Sequence, residues 1–92
     1  MKTIRVSSTT KCVLLANSMT SMLLETGTVQ LSAIGAAAVN QAVKGVAIAR
    51  GMMSNYGHDI VCRPSFRNTF LDGVEKTVMD ISIEDCDMGC AQ

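Results

Sequence analysis

The stretch Leu31–Met53, LSAIGAAAVNQAVKGVAIARGMM, decides how the rest of the chain is arranged. Its first residues, Leu31–Ile34, read as the end of a strand. Gly35 supplies a tight turn, and Ala36–Arg50 read as one long helix rich in Ala, Val and Ile. A strand that feeds a helix through one glycine lays that helix back over its own sheet. The stretch therefore predicts a central strand, the main packing helix and a polar ridge of Asn40, Gln41 and Lys44. The buried stripe of this helix is predicted to be Val39, Ala42, Val43, Val46 and Ala49. Gly45 inside it costs about 0.8–1 kcal/mol relative to alanine. A glycine there predicts close approach of another helix, within the chain or across a dimer.

Outward from this centre, Thr3–Ser7 alternates apolar and polar residues with the period of a half-buried strand. Ser7, Ser8, Thr9 and Thr10 offer side-chain caps for a helix over Lys11–Thr26. That helix places Cys12, Leu15, Ala16, Met19, Met22 and Leu23 on one face, with Asn17, Thr20, Ser21 and Glu25 mostly outside. Gly27 stops it, and Thr28–Ile34 forms the second strand. Beyond Gly51, a turn over Ser54–Gly57 leads to a third strand, His58–Pro64. Pro64 lacks a donor, so that strand is expected at a sheet edge. Ser65–Gly73 reads as the tip of a long hairpin with an Asp-Gly turn, and Val74–Ile83 as the fourth strand. Val74, Lys76, Val78, Asp80 and Ser82 fall on one face of it. Residues 84–92 read as a frayed acidic tail.

The order β-α-β-α-β-β predicts an α/β two-layer sandwich, a four-stranded mixed sheet with two helices on one face. One domain over residues 1–84 and a C-terminal tail over 85–92 suit the length of 92 residues. Such a chain buries roughly 60–65% of its unfolded surface, enough for one core. The other sheet face is expected to carry Arg5, Gln30, Ser32 and Lys76, either as plain solvent surface or as a docking face.

Bulk properties narrow the function. Apolar residues make up 48% of the chain, too many for disorder. Its apolar runs fall short of the roughly 18 residues a membrane helix needs. The opening MKTIRVSSTT has neither a hydrophobic run nor a small-residue cleavage site, so a cytoplasmic location is expected. The formal net charge of zero argues against a histone-like positive coat. Residues 1–58 carry five Lys and Arg against one Glu, and residues 59–92 carry three against seven acidic side chains. This asymmetry permits an anionic partner.

Catalysis and metal binding find little support. Cys12, Cys62, Cys86 and Cys90 have neither CxxC nor zinc-finger spacing, and reduced thiols are expected. Cys12 falls in an apolar stripe, and His58 is the lone imidazole. There is no GxGxxG or GxxxxGK[ST], which excludes a nucleotide-cofactor fold of those kinds. The expectation is no enzyme, no metal, no cofactor and no small-molecule substrate.

The segment AIGAAAVNQAVKGVAIARG, Ala33–Gly51, resembles the signature of the stage V sporulation protein S family of bacteria. IRVSS at Ile4–Ser8, DIVCRPSF at Asp59–Phe66 and DGVEKTVMDISI at Asp72–Ile83 are similar to further parts of that family. The resemblance covers about residues 3–84. It implies a role in sporulation and a fold like that of Alba, a nucleic-acid-binding dimer of archaeal chromatin. It implies strand order one-two-four-three with the last strand antiparallel.

In Alba-like proteins nucleic acid meets the first strand–helix loop, the start of the second helix and the long hairpin. Carried onto this chain, these places are Ser8 and Lys11; Asn40, Gln41 and Lys44; and Arg63 and Arg67 with Asn68. Amides pair with base edges or sugar hydroxyls, and cations neutralise phosphates. Phe66 or Phe70 is placed to stack on a base, or else to fill the core or a dimer seam. So few cations predict weak binding of DNA or RNA, with a non-specific Kd on the order of 10⁻⁴–10⁻⁶ M. A homodimer is the expected assembly. The competing expectation is a protein-interaction module of the same fold that binds no nucleic acid.

Overall fold

The computed structural model describes residues 1–87. Its elements are β1 (Thr3–Val6), α1 (Cys12–Thr26), β2 (Thr28–Ala33), α2 (Ala36–Ser54), β3 (His58–Leu71) and β4 (Val74–Asp87). The sheet order is β1-β2-β4-β3, with β1 parallel to β2 and β4 antiparallel to both β2 and β3. The expected topology is therefore the observed one. β3 lies at an edge, which accommodates Pro64.

Alternation along the strands sends one set of side chains to the helices. Val6, Val29, Leu31, Ala33, Ile60, Ile81 and Ile83 are buried in one cluster with Leu15, Met19, Leu23 and Met53. Because cross-strand partners share a face, the other face carries Arg5, Ser32, Asp80 and Ser65 in one row. Gln30, Ser82 and Arg63 form part of a second row on that face.

Several expectations change. α2 continues through Gly51 to Ser54, four residues past its expected end. Burying Met53 completely outweighs the propensity cost of one helical glycine. The buried stripe of α2 is Ala38, Ala42, Gly45, Ala49 and Met53, while Val43 is 55% exposed. The helix turns its smallest residues inward because α1 passes close by. Gly45 sits against Leu15 and Met19, so the close approach is within the chain. Thr20, expected outside, is buried, and its hydroxyl donates to Met52 Sδ at 3.6 Å. No Ser or Thr side chain caps α1. Its N-cap is Lys11, and Thr10 Oγ1 instead accepts from Ser7 N at 2.8 Å.

The hairpin is the largest difference. β3 does not end at Pro64 but stays paired with β4 up to Leu71–Val74. Asp72 and Gly73 make a two-residue turn with φ of 53° and 77°. Positive φ at both central residues matches the right-handed strand twist. Cross-strand pairing replaces the burial that the polar SFRNTF sequence lacks. The hairpin draws the molecule out to 45 × 22 × 22 Å. At the other end β4 runs on to Asp87, so residues 84–87, expected in the tail, pair with residues 58–61. The rest of the expected tail, including Cys90, lies outside the described residues.

Candidate nucleic-acid interface

Parallel pairing of β1 and β2 makes both strands end on the same side of the sheet. α1 and α2 therefore begin there together. Ala33 pairs with Met79, so the part of the hairpin beyond this pair projects past that same end. Topology alone thus gathers the β1–α1 loop, the start of α2 and the hairpin at one pole.

Each helix opens at this pole without a side-chain cap and without an acidic residue in its first turn. The first N–H groups of a helix have no intrahelical acceptor, and the aligned peptide dipoles leave partial positive charge there. Two such ends side by side favour an anion. Gly35 makes the second end possible. Its φ of 90° and ψ of 155° place it where side chains are rarely tolerated.

The loop and the helix are tied together. Gln41 Nε2 donates to the Thr10 carbonyl at 2.8 Å, and Cys12 Sγ donates to the Gln41 carbonyl at 3.7 Å. Gln41, expected as a ligand-facing amide, has its donor engaged as a strut. Ser8, Lys11, Asn40 and Lys44 are exposed around that strut. Ser7, Thr9 and Thr10 close the loop through their own hydroxyls. Lys11 and Lys44 have no ion-pair partner among the described residues.

The two hairpin arginines are placed differently. Both lie on the sheet face away from the helices. Arg67 donates to Asp80 Oδ2 at 2.7 Å and Oδ1 at 3.2 Å, and to Ser32 Oγ at 3.4 Å. These hydrogen bonds hold the Asp80 carboxyl below the usual carboxylate range against its partial burial. Arg63 lies four residues nearer the opposite pole and donates to Glu84 Oε2 at 2.7 Å. So the structure ties the loop that carries Ser8 and Lys11 to Gln41, with Asn40 next to it and Lys44 one turn on along α2, sets Arg67 beside their pole on another face, and keeps Arg63 apart.

A third arginine, Arg50, donates to Asp59 Oδ1 at 2.7 Å, well away from this pole. That bond, with the Ile60 N–H, holds the Asp59 carboxyl low. The carboxylates that occupy Arg63 and Arg67 were hidden from sequence reading. They lie 21 and 13 residues away, and only the strand register brings them opposite. Phe66 and Phe70 are 74% and 70% exposed, so neither fills the core of this chain. Among the described residues no three His, Cys, Asp or Glu side chains cluster as a metal site. No helix there is long and apolar enough to cross a membrane.

The fold defines an Alba-like two-layer sandwich. Alba from Thermoplasma volcanium superposes with a TM-score of 0.62 at 12% identity, covering 89% of this chain and 98% of that one. At that identity the likeness establishes the fold. The family follows from sequence: the family model of stage V sporulation protein S matches residues 2–85, and the chain belongs to that family.

Proposed function

We propose that this protein is a weak nucleic-acid-binding regulator of sporulation, acting in the cytoplasm as a homodimer and by binding rather than catalysis. The observation that carries the reading is the pair of uncapped helix ends at one pole, with Lys11 beside them and Lys44 about two turns into α2, neither in an ion pair among the described residues. Helix N–H groups and lysines suit a phosphate backbone, and exposed Ser8 and Asn40 supply hydrogen bonds to sugars or bases. The hairpin tip adds little charge, because Asp72 and Glu75 offset Lys76 there. Arg67 contributes only what its pairing with Asp80 leaves free, and Arg63, held by Glu84 toward the far pole, contributes little.

Phe66 and Phe70 lie on the helix side of the hairpin. Exposed aromatics in a row suit either base stacking or the seam of a second copy. The competing protein-docking reading draws on α1. Its outer surface exposes Val13, Leu14 and Leu24, and Glu25 is its one charged residue.

The test is a titration of labelled single- and double-stranded DNA and RNA at two salt concentrations. Binding that weakens with salt and with Lys11→Glu plus Lys44→Glu is expected. No binding at low salt, or binding indifferent to the double variant, favours protein docking instead.

A further inference from the structure

A cavity of about 360 Å³ opens on the sheet face away from the helices, between the ends of β1 and β2 and the hairpin. Small-ligand pockets run about 300–1,000 Å³. Val78 lines it and is 2% exposed, the one buried hydrophobe among the described residues that lies outside the main core cluster. Ile34 and Leu71 add apolar wall. Arg5, Ser7, Ser32, Thr69 and the Asp80-paired Arg67 supply the polar lining.

Charge on this face is unevenly used. Strand alternation places two described β4 carboxylates here, Asp80 and Glu84, and each is held by its own arginine. Arg67 engages both oxygens of Asp80. Arg5 sits in the same row as Ser32 and Asp80, two strands from that carboxylate. Arg5 and Lys76 have no ion-pair partner among the described residues. Among the described residues the face therefore carries two cations without an ion pair, and one of them, Arg5, lines the cavity.

A guanidinium beside hydroxyls takes an oxyanion, and an adjoining apolar wall takes a flat or greasy body. From this juxtaposition we infer a binding site for one nucleotide unit. Its phosphate sits on Arg5, beside Ser7 and Ser32, whose hydroxyls already bond Thr9, Thr10 and Arg67, and its base or sugar sits against Ile34, Leu71 and Val78. The unit is either a free mononucleotide or one residue of a bound strand. In the strand form the inference rests on the function proposed above, since the cavity borders the same pole through Ser7.

Amide chemical-shift mapping of the full chain tests it, with adenosine monophosphate, inorganic phosphate, adenosine and a short oligonucleotide as separate probes. The mononucleotide is expected to shift Arg5, Ser7, Ser32, Ile34 and Val78. Arg5→Glu is expected to weaken it at least tenfold and Arg5→Lys much less. Phosphate and adenosine alone are each expected to bind at least tenfold more weakly. Absence of shifts at these residues in the unmodified chain overturns the site, as does equal binding by a folded Arg5→Glu variant. Phosphate binding as tight as the mononucleotide overturns it too, because the apolar wall would then do nothing.

Oligonucleotide shifts at the same residues identify the strand as the source. Shifts from the mononucleotide alone identify the free nucleotide. Cavity shifts without any oligonucleotide binding uphold the cavity and reject the strand-binding function. Strand binding through Lys11 and Lys44 with a cavity silent to every probe does the reverse.

Discussion

A Cβ added at Gly45 would lie 2.6 Å from Leu15 Cδ2 and 3.3 Å from Met19 Cε. Both neighbours are buried in the core, so their ends have little room to swing aside. Gly45→Val should therefore destabilise the protein by about 1–3 kcal/mol, as overpacked cores do. A denaturant midpoint below that of the parent chain, with an unchanged slope, checks it. Asp80 sets a pH limit at the same scale. Hydrogen bonds from Arg67 depress its folded pKa, whereas an unfolded aspartate titrates near about 3.9. Its contribution is thus fully present above about pH 4 and is lost as pH falls through the lower folded value. Asp59, held low by Arg50 and by the Ile60 N–H, acts in the same direction. The urea midpoint should fall between pH 6 and pH 3, and Asp80→Asn should reduce that fall. An equal fall in the variant would show that the pairing with Arg67 adds nothing.

At the scale of the elements, the turn from β2 to α2 depends on one glycine. At φ 90° and ψ 155°, Gly35→Ala carries strain of about 1–3 kcal/mol. It should lower the unfolding midpoint although a Cβ there would meet nothing within 4 Å. This turn was legible in the sequence because one glycine stood between a clean strand period and a clean helix period. β1, α1 and β2 were legible for the same reason. The inward face of α2 was not, because choosing the largest hydrophobes as buried fails where two helices touch through glycine and alanine. The length of β3 was not legible either. Phe66 and Phe70 alternate out to solvent, and the strand is held by its pairing with β4 rather than by its own pattern. The same non-local register hid Arg67–Asp80 and Arg63–Glu84, and with them how far those arginines are already committed. Asn40 and Lys44 were readable together from helix spacing, which is local, whereas Lys11 was placed with them only by the family resemblance, since the parallel pairing of β1 and β2 that joins the two helix starts is non-local.

For the whole molecule, what matters is how charge is distributed between its poles. Three of the four arginines are in ion pairs with carboxylates. Among the described residues Lys11 and Lys44 are not; Lys11 stands at the start of α1 and Lys44 about two turns into α2, on the side of the same pole. If a strand is held there, these two lysines release its counterions. Each phosphate neutralised on a single strand contributes about −0.7 to the slope of log K against log salt. Lys11→Glu with Lys44→Glu should therefore flatten that slope by about 1.4 per chain. The same double substitution should leave thermal stability within about 0.5 kcal/mol, because both lysines are exposed and neither is in an ion pair among the described residues. Arg63→Gln should do the opposite, since Arg63 is bound to Glu84 near the far pole. It should barely move the salt slope. Fluorescence anisotropy of a labelled oligonucleotide at four salt concentrations separates the two. A slope lowered equally by both variants would mean that the strand runs along the open sheet face instead of across the helix ends.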